Sequence, residues 1–266
     1  MSNIDCVSFL QWALPQLNMR WPGFRRVRRQ VCRRIQKRIV QLELPSIDAY
    51  RSYLIAHPEE WPILDRCCWV TVSRFYRDRG VFDRLFRDVL PETARLALDA
   101  GEKMVSCWSV GCASGEEAYT LVIGWKMLWS LHFPSLTLDV VATDIDPDLL
   151  NRARTGCYTA GSLKELPETW RDSAFEQSGK KWFLKSKYQN SVAFHQEDIR
   201  IIMPAGSFHL ILCRNLVFTY FDVGLQQEIL NRLKQHLVPG GVLVIGCHET
   251  LPDELNLNGK GECVYY

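Results

Sequence analysis

The spacing of apolar residues divides the chain into two regions with different periodicities. Up to about residue 90 the apolar residues recur at helical spacing, and proline-containing breaks, the last at Pro91, separate the predicted helices. From about residue 103 onward, short apolar strands alternate with helices. This alternation is typical of a parallel, doubly wound α/β sheet that binds ligands at the carboxyl ends of its strands.

The pattern predicts the bounds of the individual elements. The predicted N-terminal helices are Asp5–Leu14, Phe24–Leu42, Ile47–His57, Glu59–Cys68 and Gly80–Val89. The predicted strands are Val105–Val110, Leu138–Thr143, Val192–His195, His209–Cys213 and Gly241–Cys247. The helices expected between them are Glu116–Leu131, Pro147–Thr155 and Gly224–Leu237.

These elements predict two domains and one insertion. We expect a helical N-terminal domain over residues 1–90 and an α/β domain over residues 91–266. Between Gly156 and Val192 the alternation lapses into short helical pieces, followed by two near-alternating runs around Gln189-Asn190. We interpret residues 156–192 as a small inserted subdomain with a hairpin.

Composition restricts the class of protein. With 266 residues and 47% hydrophobic residues, the chain is long enough for one large α/β domain and a smaller module. No run of 18 apolar residues and no signal-peptide pattern occurs, so we expect no membrane insertion and a cytoplasmic location. The ten cysteines are scattered without C-x-x-C or Cys/His clusters, which favours reduced thiols and no metal site.

The charge is unevenly distributed although its formal net value is only +2. Nine basic residues and no acid lie between Arg20 and Arg38, and the helix predicted there carries one apolar stripe. The stripe consists of Val27, Val31, Ile35 and Ile39. The cations therefore cover the other faces of the helix, where they repel one another. This pattern favours an acidic partner or a nucleic acid.

A glycine turn between the first strand and its helix carries the candidate chemistry. The sequence VSCWSVGCASGEEAYTLVIGW places Gly111 and Gly115 in this turn, and Asp144 ends the next strand. Such units bind nucleoside cofactors, with the acid accepting hydrogen bonds from ribose. Glu116 and Glu117 at the helix start would repel a pyrophosphate, so a cationic cofactor such as S-adenosylmethionine fits better. The alternative is an ordinary strand-to-helix turn.

Six motifs in order resemble one known family, the CheR-type chemotaxis methyltransferases, of which this chain would be a divergent member. The motifs are SRFYRDRGVFDRL, SVGCASGEEAYT, ATDIDPDLLNRARTGCY, EDI, LILCRNLVFTYFD and LVPGGVLVIGCHE. Members of that family transfer a methyl group from S-adenosylmethionine to glutamate side chains of chemoreceptors and release S-adenosylhomocysteine. A helical N-terminal domain with a basic helix is also a property of the family.

The resemblance implies a role for individual residues. Glu117 would hold the amino group of the cofactor and Asp144 its ribose. Arg77 and Tyr220 would orient the substrate carboxylate. The remaining cofactor contacts implied are Thr71, Ser73 and Arg77 from the linker, Gly111 from the turn, Asp198 and Ile199 beside the adenine, and Asn215 and Leu216 after the fourth strand. The basic helix Arg25–Arg38 would dock an acidic, helical protein substrate.

Two departures from the family pattern keep other functions open. Four residues separate Asn215 from Tyr220, one more than in the family, and the linker has Phe75-Tyr76 instead of Phe-Phe. A small molecule or another protein side chain is an alternative methyl acceptor, and a non-catalytic cofactor-binding adaptor is a further alternative. Nucleic-acid methylation is disfavoured because no proline follows Asn215, where enzymes that methylate base nitrogens commonly have two.

Overall fold

The computed structural model describes residues 3–252 and 263–265, which belong to two compact units. The helical unit comprises the chain up to Thr71 together with Thr219–Gln226. The sheet unit comprises Val72–Phe218 and the residues from Gln227 onward. The division thus lies at Thr71 and not at the expected residue 90, because residues 79–89 are continuous with the helix Leu90–Asp99, which packs against strands of the sheet unit.

The helical unit contains four of the five predicted N-terminal helices, and the fifth, predicted over Gly80–Val89, lies in the sheet unit. The elements of the helical unit are α1 (Asn3–Ala13), a 3₁₀ turn (Leu14–Leu17), α2 (Trp21–Phe24), α3 (Arg28–Gln41), α4 (Ile47–Ala56), a second 3₁₀ turn (Pro58–Glu60) and α5 (Trp61–Cys68). The predicted apolar stripe of α3 is confirmed, since Val31, Ile35 and Ile39 are buried. Helix α4 begins where the Ser46 hydroxyl accepts a hydrogen bond from the Ala49 amide.

Two basic residues of α3 have structural partners inside this unit. Arg38 donates to both carboxylate oxygens of Glu60 at 2.9 and 2.8 Å, and Tyr50 donates to the same carboxylate at 2.9 Å. Burial raises the pKa of Glu60, but these hydrogen bonds outweigh it and leave the pKa below its usual value. Arg34 donates to the main-chain carbonyls of Cys67 and Trp69.

The cysteine prediction is wrong for one pair. Cys6 of α1 and Cys32 of α3 form a disulfide, with Cα atoms 6.1 Å apart. Their separation of 26 residues carries no recognisable signal, because the pairing depends on how the two helices pack. The other eight cysteines, all among the described residues, are not disulfide-bonded.

The sheet unit has the predicted doubly wound core. Its strands are β1 (Met104–Val110), β2 (Thr137–Asp144), β6 (Val192–Gln196), β7 (Phe208–Cys213), β8 (Leu237–Ile245) and β9 (Val264–Tyr265). The strand order is β6-β2-β1-β7-β8-β9, and all neighbouring pairs are parallel except β8 with β9. The expected α/β fold, with five strands matching the predicted ones, is therefore confirmed.

The three helices predicted between the strands are confirmed, and the structure adds two that were not predicted, Leu90–Asp99 and Val217–Tyr220. The helices after the helical unit are α6 (Arg79–Arg84), α7 (Leu90–Asp99), α8 (Glu116–Gly124), α9 (Pro147–Thr155), α13 (Val217–Tyr220) and α14 (Val223–Gln235), with π-helical turns at Leu85–Val89 and Trp125–Trp129. The stretch Thr219–Gln226, which includes the end of α13 and the start of α14, belongs to the helical unit. Pro91 does not end a helix as predicted. It lies in the first turn of α7, directly after the π-helical turn, where a missing amide hydrogen costs little.

The insertion is a three-stranded antiparallel sheet with order β3-β5-β4. Its elements are β3 (Cys157–Thr159), α10 (Ala160–Leu163), α11 (Glu168–Ala174), β4 (Phe175–Ser178), β5 (Lys181–Leu184) and α12 (Ser186–Gln189). The predicted short helices are confirmed, but the hairpin turns at Gly179 and not at Gln189-Asn190. The prediction failed because Val192–Gln196 pairs with β2 in the large sheet, so the second alternating run is not a hairpin strand.

The part of the chain that the structure describes, residues 3–252 and 263–265, contains neither a membrane-spanning helix nor a cluster of metal-binding side chains. No helix in these ranges is long and apolar enough to cross a bilayer. Within the same ranges, no group of three or more His, Cys, Asp or Glu side chains has the arrangement of a metal site.

Candidate active site

The turn between β1 and α8 requires unusual backbone conformations at three positions. Gly111, Ala113 and Gly115 have φ values of +65°, +50° and +83°, a region that favours glycine. The amide of Cys112 donates to the carbonyl of Thr143 at 2.9 Å and so attaches the turn to the end of β2. The sequence GCASG is therefore the chain reversal that the first strand and its helix need.

Asp144 lies at the carboxyl end of β2, beside this turn. Its Oδ2 accepts a hydrogen bond from the Ala113 amide at 2.8 Å, and its Oδ1 accepts one from the Asp146 amide at 2.9 Å. Desolvation raises the pKa of Asp144, while these amide donors partly oppose the shift. A carboxylate accepts about four hydrogen bonds, so the two that are present fix its orientation and leave capacity for ligand hydroxyls.

Glu117 projects from the first turn of α8 and is held from two sides. The Ser109 hydroxyl, in β1, donates to its Oε1 at 2.8 Å, and the Arg214 guanidinium donates to its Oε2 at 2.9 Å. The Glu117 side chain is 15% exposed. Burial raises its pKa, and the charge of Arg214 is the largest opposing effect. The result is a fixed, partly accessible carboxylate at the carboxyl end of the sheet.

The neighbouring Glu116 is almost completely buried. Its Oε1 accepts a hydrogen bond from the Ser114 hydroxyl at 3.0 Å, and the Ser114 and Ser73 hydroxyls both act to lower the pKa of this carboxylate. Its Oε2 has no hydrogen-bond partner among the described residues. Burial raises the pKa of Glu116. Ser73, a predicted cofactor contact, thus lies close to Glu116 at the start of α8.

The segment before α6 approaches the same helix. The Tyr76 amide donates to the Thr120 hydroxyl of α8 at 3.2 Å, and Tyr76 and Asp78 have φ values of +59° and +60°. The Arg77 guanidinium donates to the Val72 carbonyl, and its charge lowers the pKa of Glu117. Ser73 and Arg77 therefore belong to a segment that approaches α8, and their contacts with the cofactor stay predictions.

Asn215 and Leu216 follow β7 at the same edge of the sheet. Asn215 has a φ of +56°. Its main-chain amide donates a hydrogen bond to Glu249 Oε2 at 2.8 Å, and the same oxygen accepts a hydrogen bond from the Gly246 amide at 2.7 Å. Leu216 packs against Gly111 so closely that a Cβ at Gly111 would lie 2.5 Å from Leu216 Cδ2. Leu216 thus borders the glycine turn, and Asn215 directly precedes Leu216.

Asp198 and Ile199 follow β6, beside β2. The Glu197 amide donates to the Asp144 carbonyl at 3.1 Å, which brings this segment to the end of β2. The Asp198 carboxylate forms an ion pair with Arg200 at 2.8 Å, and Ile199 is buried. Asp198 therefore also stabilises its own turn, and its contact with the adenine stays a prediction.

Thr71 and Tyr220 belong to the helical unit. Thr71 follows α5 without regular secondary structure. The Tyr220 main-chain carbonyl accepts a hydrogen bond from the Arg20 amide at 2.8 Å, and the Tyr220 ring centre lies 5.0 Å from that of Phe24. The roles assigned to these two residues stay predictions.

Sequence reasoning missed Ser109, Asp78, Arg214 and Glu249. Arg214 was recognisable as a charge that directly follows the fully buried strand FHLILC, since a buried guanidinium needs a partner. Ser109 and Glu249 gave no such signal, because their function depends on partners that are distant in sequence.

The fold and the site together define the class of protein. A parallel sheet with a glycine turn after β1, an acid at the end of β2 and a held carboxylate at the start of α8 is a doubly wound domain that binds a nucleoside cofactor. A family model described as "CheR methyltransferase, SAM binding domain" matches residues 71–263. The chain belongs to the CheR methyltransferase family.

Known relatives agree with this assignment. The chain is 35% identical over 182 residues to a chemotaxis protein methyltransferase of Listeria monocytogenes, covering 68% of this chain and 66% of that protein. It is 29% identical over 227 residues to chemotaxis protein methyltransferase 2 of Vibrio cholerae, covering 82% of this chain and 77% of that protein. The chain thus spans slightly less than two thirds of the length of the Listeria relative. A solved glycopeptide N-methyltransferase complexed with S-adenosylmethionine aligns at 14% identity with a TM-score of 0.34, a likeness too weak to define function.

The cofactor of this domain is S-adenosylmethionine, and the residues of the site fit it. The ligand carries an ammonium and a sulfonium, and the site offers the carboxylates of Glu117 and Asp144, while the first turn of α8 carries two acids where a pyrophosphate would be repelled. When bound, the cofactor supplies an electrophilic methyl group. We propose that Glu117 holds its ammonium and Asp144 its ribose hydroxyls.

Gly111→Ala provides one test of the turn. The added Cβ displaces Leu216 and must accept a positive φ, so we expect the free energy of unfolding to fall by about 1–3 kcal/mol. The affinity for S-adenosylhomocysteine should fall by about tenfold, because Leu216 borders the site. Urea unfolding and calorimetry measure the two effects.

Gly179→Ala is the matched control. Gly179 also has a positive φ, +59°, but a Cβ there meets nothing within 4 Å. This variant should lose stability without losing affinity. Equal affinities in the two variants would contradict the role of the Gly111–Leu216 contact.

Proposed function

We propose that this chain transfers the methyl group of S-adenosylmethionine to glutamate side chains of a protein partner. The observation that carries the proposal is the pair of positioned carboxylates, Glu117 and Asp144, around the glycine turn of a CheR-family domain. The relatives' names support a protein acceptor, since they are chemotaxis protein methyltransferases.

The chemistry needs little beyond alignment. A glutamate side chain is ionised at about pH 7 and attacks the methyl carbon without a general base. The protein therefore has to place oxygen, carbon and sulfur in line and exclude water. Arg77 would orient the substrate carboxylate. Because the negative charge of the carboxylate is neutralised in the transition state, a very tight ion pair with Arg77 would stabilise the ground state and slow the reaction.

The basic surface of the helical unit supports an acidic partner. We define this surface by its exposed members, Arg25, Arg26, Arg29, Arg33 and Lys37. Arg29, Arg33 and Lys37 follow one another at intervals of four residues, so they lie along one face of α3. We propose that this face docks an acidic helical segment of the substrate, whose own carboxylates would complement it.

One observation favours a different acceptor as the second candidate. The loop between Asn215 and Tyr220 is one residue longer than the family pattern. A changed loop beside the site is compatible with a small molecule or another protein side chain as methyl acceptor. The basic surface favours the protein carboxylate.

Alkali lability separates the two candidates. The protein is incubated with S-adenosylmethionine tritiated in the methyl group and with proteins of the host lysate, and the products are treated with mild alkali. Release of label as volatile methanol is the expected result, because methyl esters hydrolyse. Alkali-stable label would contradict carboxyl methylation and would favour transfer to nitrogen, sulfur or another oxygen.

A further inference from the structure

Arg214 is a buried charge at the carboxyl end of β7. Its side chain is 2% exposed, although its position directly follows the apolar strand of the sheet. A guanidinium does not lose its proton in a protein, so the charge persists in this environment. Burying an ion costs several kcal/mol unless partners compensate it.

Its partners come from two different segments of the sheet unit. Nη1 donates to Glu117 Oε2 at 2.9 Å. Nη2 donates to Asp78 Oδ2 at 2.8 Å and to the Arg77 carbonyl at 2.9 Å. The ring of Phe82 lies 5.0 Å from the guanidinium carbon and covers one face. Arg214 therefore bridges the start of α8 and the end of the segment that carries Ser73 and Arg77.

Stability alone does not account for this arrangement. Replacing a buried ion pair by apolar residues of similar volume is often neutral or stabilising. The Nε atom of Arg214 is also buried without a hydrogen-bond partner among the described residues, which adds a further cost. Because the buried charge of Arg214 is unfavourable for stability, we expect it to have a role in the active site.

The geometry shows what the bridge does. Glu117 is fixed by Ser109 on one oxygen and by Arg214 on the other, which leaves about two lone-pair positions for a ligand ammonium. Tyr76 and Asp78 have positive φ values. The segment that carries Ser73 and Arg77 therefore adopts a strained backbone conformation, which persists only when surrounding contacts stabilise it. The bonds from Arg214 to Asp78 and to the Arg77 carbonyl supply that support.

We propose that Arg214 is a positioning residue for the amino-acid end of the cofactor. It orients the Glu117 carboxylate and ties it to the segment that carries Ser73 and Arg77. This inference rests on the role proposed above for Glu117.

Two probes separate positioning from a general structural role. S-adenosylhomocysteine contains the amino-acid portion, whereas 5′-methylthioadenosine keeps the adenosine and the thioether without it. In Arg214→Met we expect the dissociation constant for S-adenosylhomocysteine to rise by about 10- to 100-fold, as for other residues that orient a ligand-binding group. The constant for 5′-methylthioadenosine should change by less than about twofold, because Asp144 and the adenine contacts remain. Equal losses for both probes would overturn the proposal.

Two further variants show whether a loss of affinity in Arg214→Met reflects a folding defect. Arg214→Lys keeps the charge but reaches only one carboxylate, so it should show a smaller loss that is again selective for S-adenosylhomocysteine. If Arg214→Lys binds both probes as the unsubstituted protein does, the proposal fails. Arg171→Met is the control, since Arg171 also pairs with two acids, Glu168 and Asp172, and stacks on Trp182 in the same unit. It should leave both constants unchanged.

Glu117→Gln distinguishes failure of this inference from failure of its premise. If Glu117→Gln binds S-adenosylhomocysteine normally, the proposed role of Glu117 is wrong. If Glu117→Gln loses affinity and Arg214→Met does not, the role of Glu117 stands and only the positioning role of Arg214 is overturned.

Discussion

Asp144→Ala is expected to abolish measurable binding of S-adenosylhomocysteine. Two hydrogen bonds from ribose hydroxyls to a carboxylate contribute about 1.5–3 kcal/mol each, so the affinity should fall by about 100-fold or more. The Ala113 amide, which donates a hydrogen bond to Asp144 at 2.8 Å, also loses its partner in this variant. The glycine turn therefore loses one of the hydrogen bonds that hold its conformation. Calorimetry measures the affinity directly, and the heat-unfolding profile shows whether the variant folds.

Asp144→Asn is the matched control for the charge. Asparagine keeps the size of the side chain but presents an amide group to one of the two backbone donors that Asp144 satisfies. We expect a loss smaller than that of alanine but still of about tenfold or more. Unchanged affinity in both variants would disprove the ribose contact.

Reversal of the charge at Arg29, Arg33 and Lys37 to glutamate is expected to lower kcat/KM for the protein substrate by about 100-fold at low salt. The three side chains are exposed along one face of α3, so their replacement removes attraction to an acidic partner and adds repulsion. The difference from the unsubstituted protein should shrink as salt is added, because exposed charges are screened. The dissociation constant for S-adenosylhomocysteine should stay within about twofold of its original value.

A second triple variant controls for the change in net charge. Arg87, Arg95 and Lys103 are exposed basic residues of the sheet unit, and their reversal changes the net charge by the same amount. This variant should keep kcat/KM within a small factor of the original. A similar fall in both triple variants would mean that overall charge matters and that the basic surface has no specific docking role.

The sequence predicted the parts of the fold that depend on local pattern. The strand bounds were close because each strand of a buried parallel sheet is a short apolar run between turn residues. Asp144 and the glycine turn were recognisable for the same reason, since both are contiguous with a strand end. The apolar stripe of α3 followed from its spacing alone.

Features that depend on contacts between distant residues were missed. The partners of Arg214 are 97 and 136 residues away in the sequence. The sequence therefore indicates only that a buried guanidinium needs a partner, and not which residue it is. The hairpin was misplaced because an alternating run does not reveal whether its neighbour is the next strand or β2. The Cys6–Cys32 disulfide likewise depends on the packing of two helices.

Localisation of the methyl group by tandem mass spectrometry tests the central proposal most directly. Host proteins are incubated with this protein and S-adenosylmethionine at mildly acidic pH, which preserves esters, and a parallel sample receives Asp144→Ala. We expect methyl groups on glutamate side chains of acidic helical segments, present only with the unsubstituted protein. Methyl groups on lysine or arginine nitrogens, or transfer only to small molecules, would contradict it.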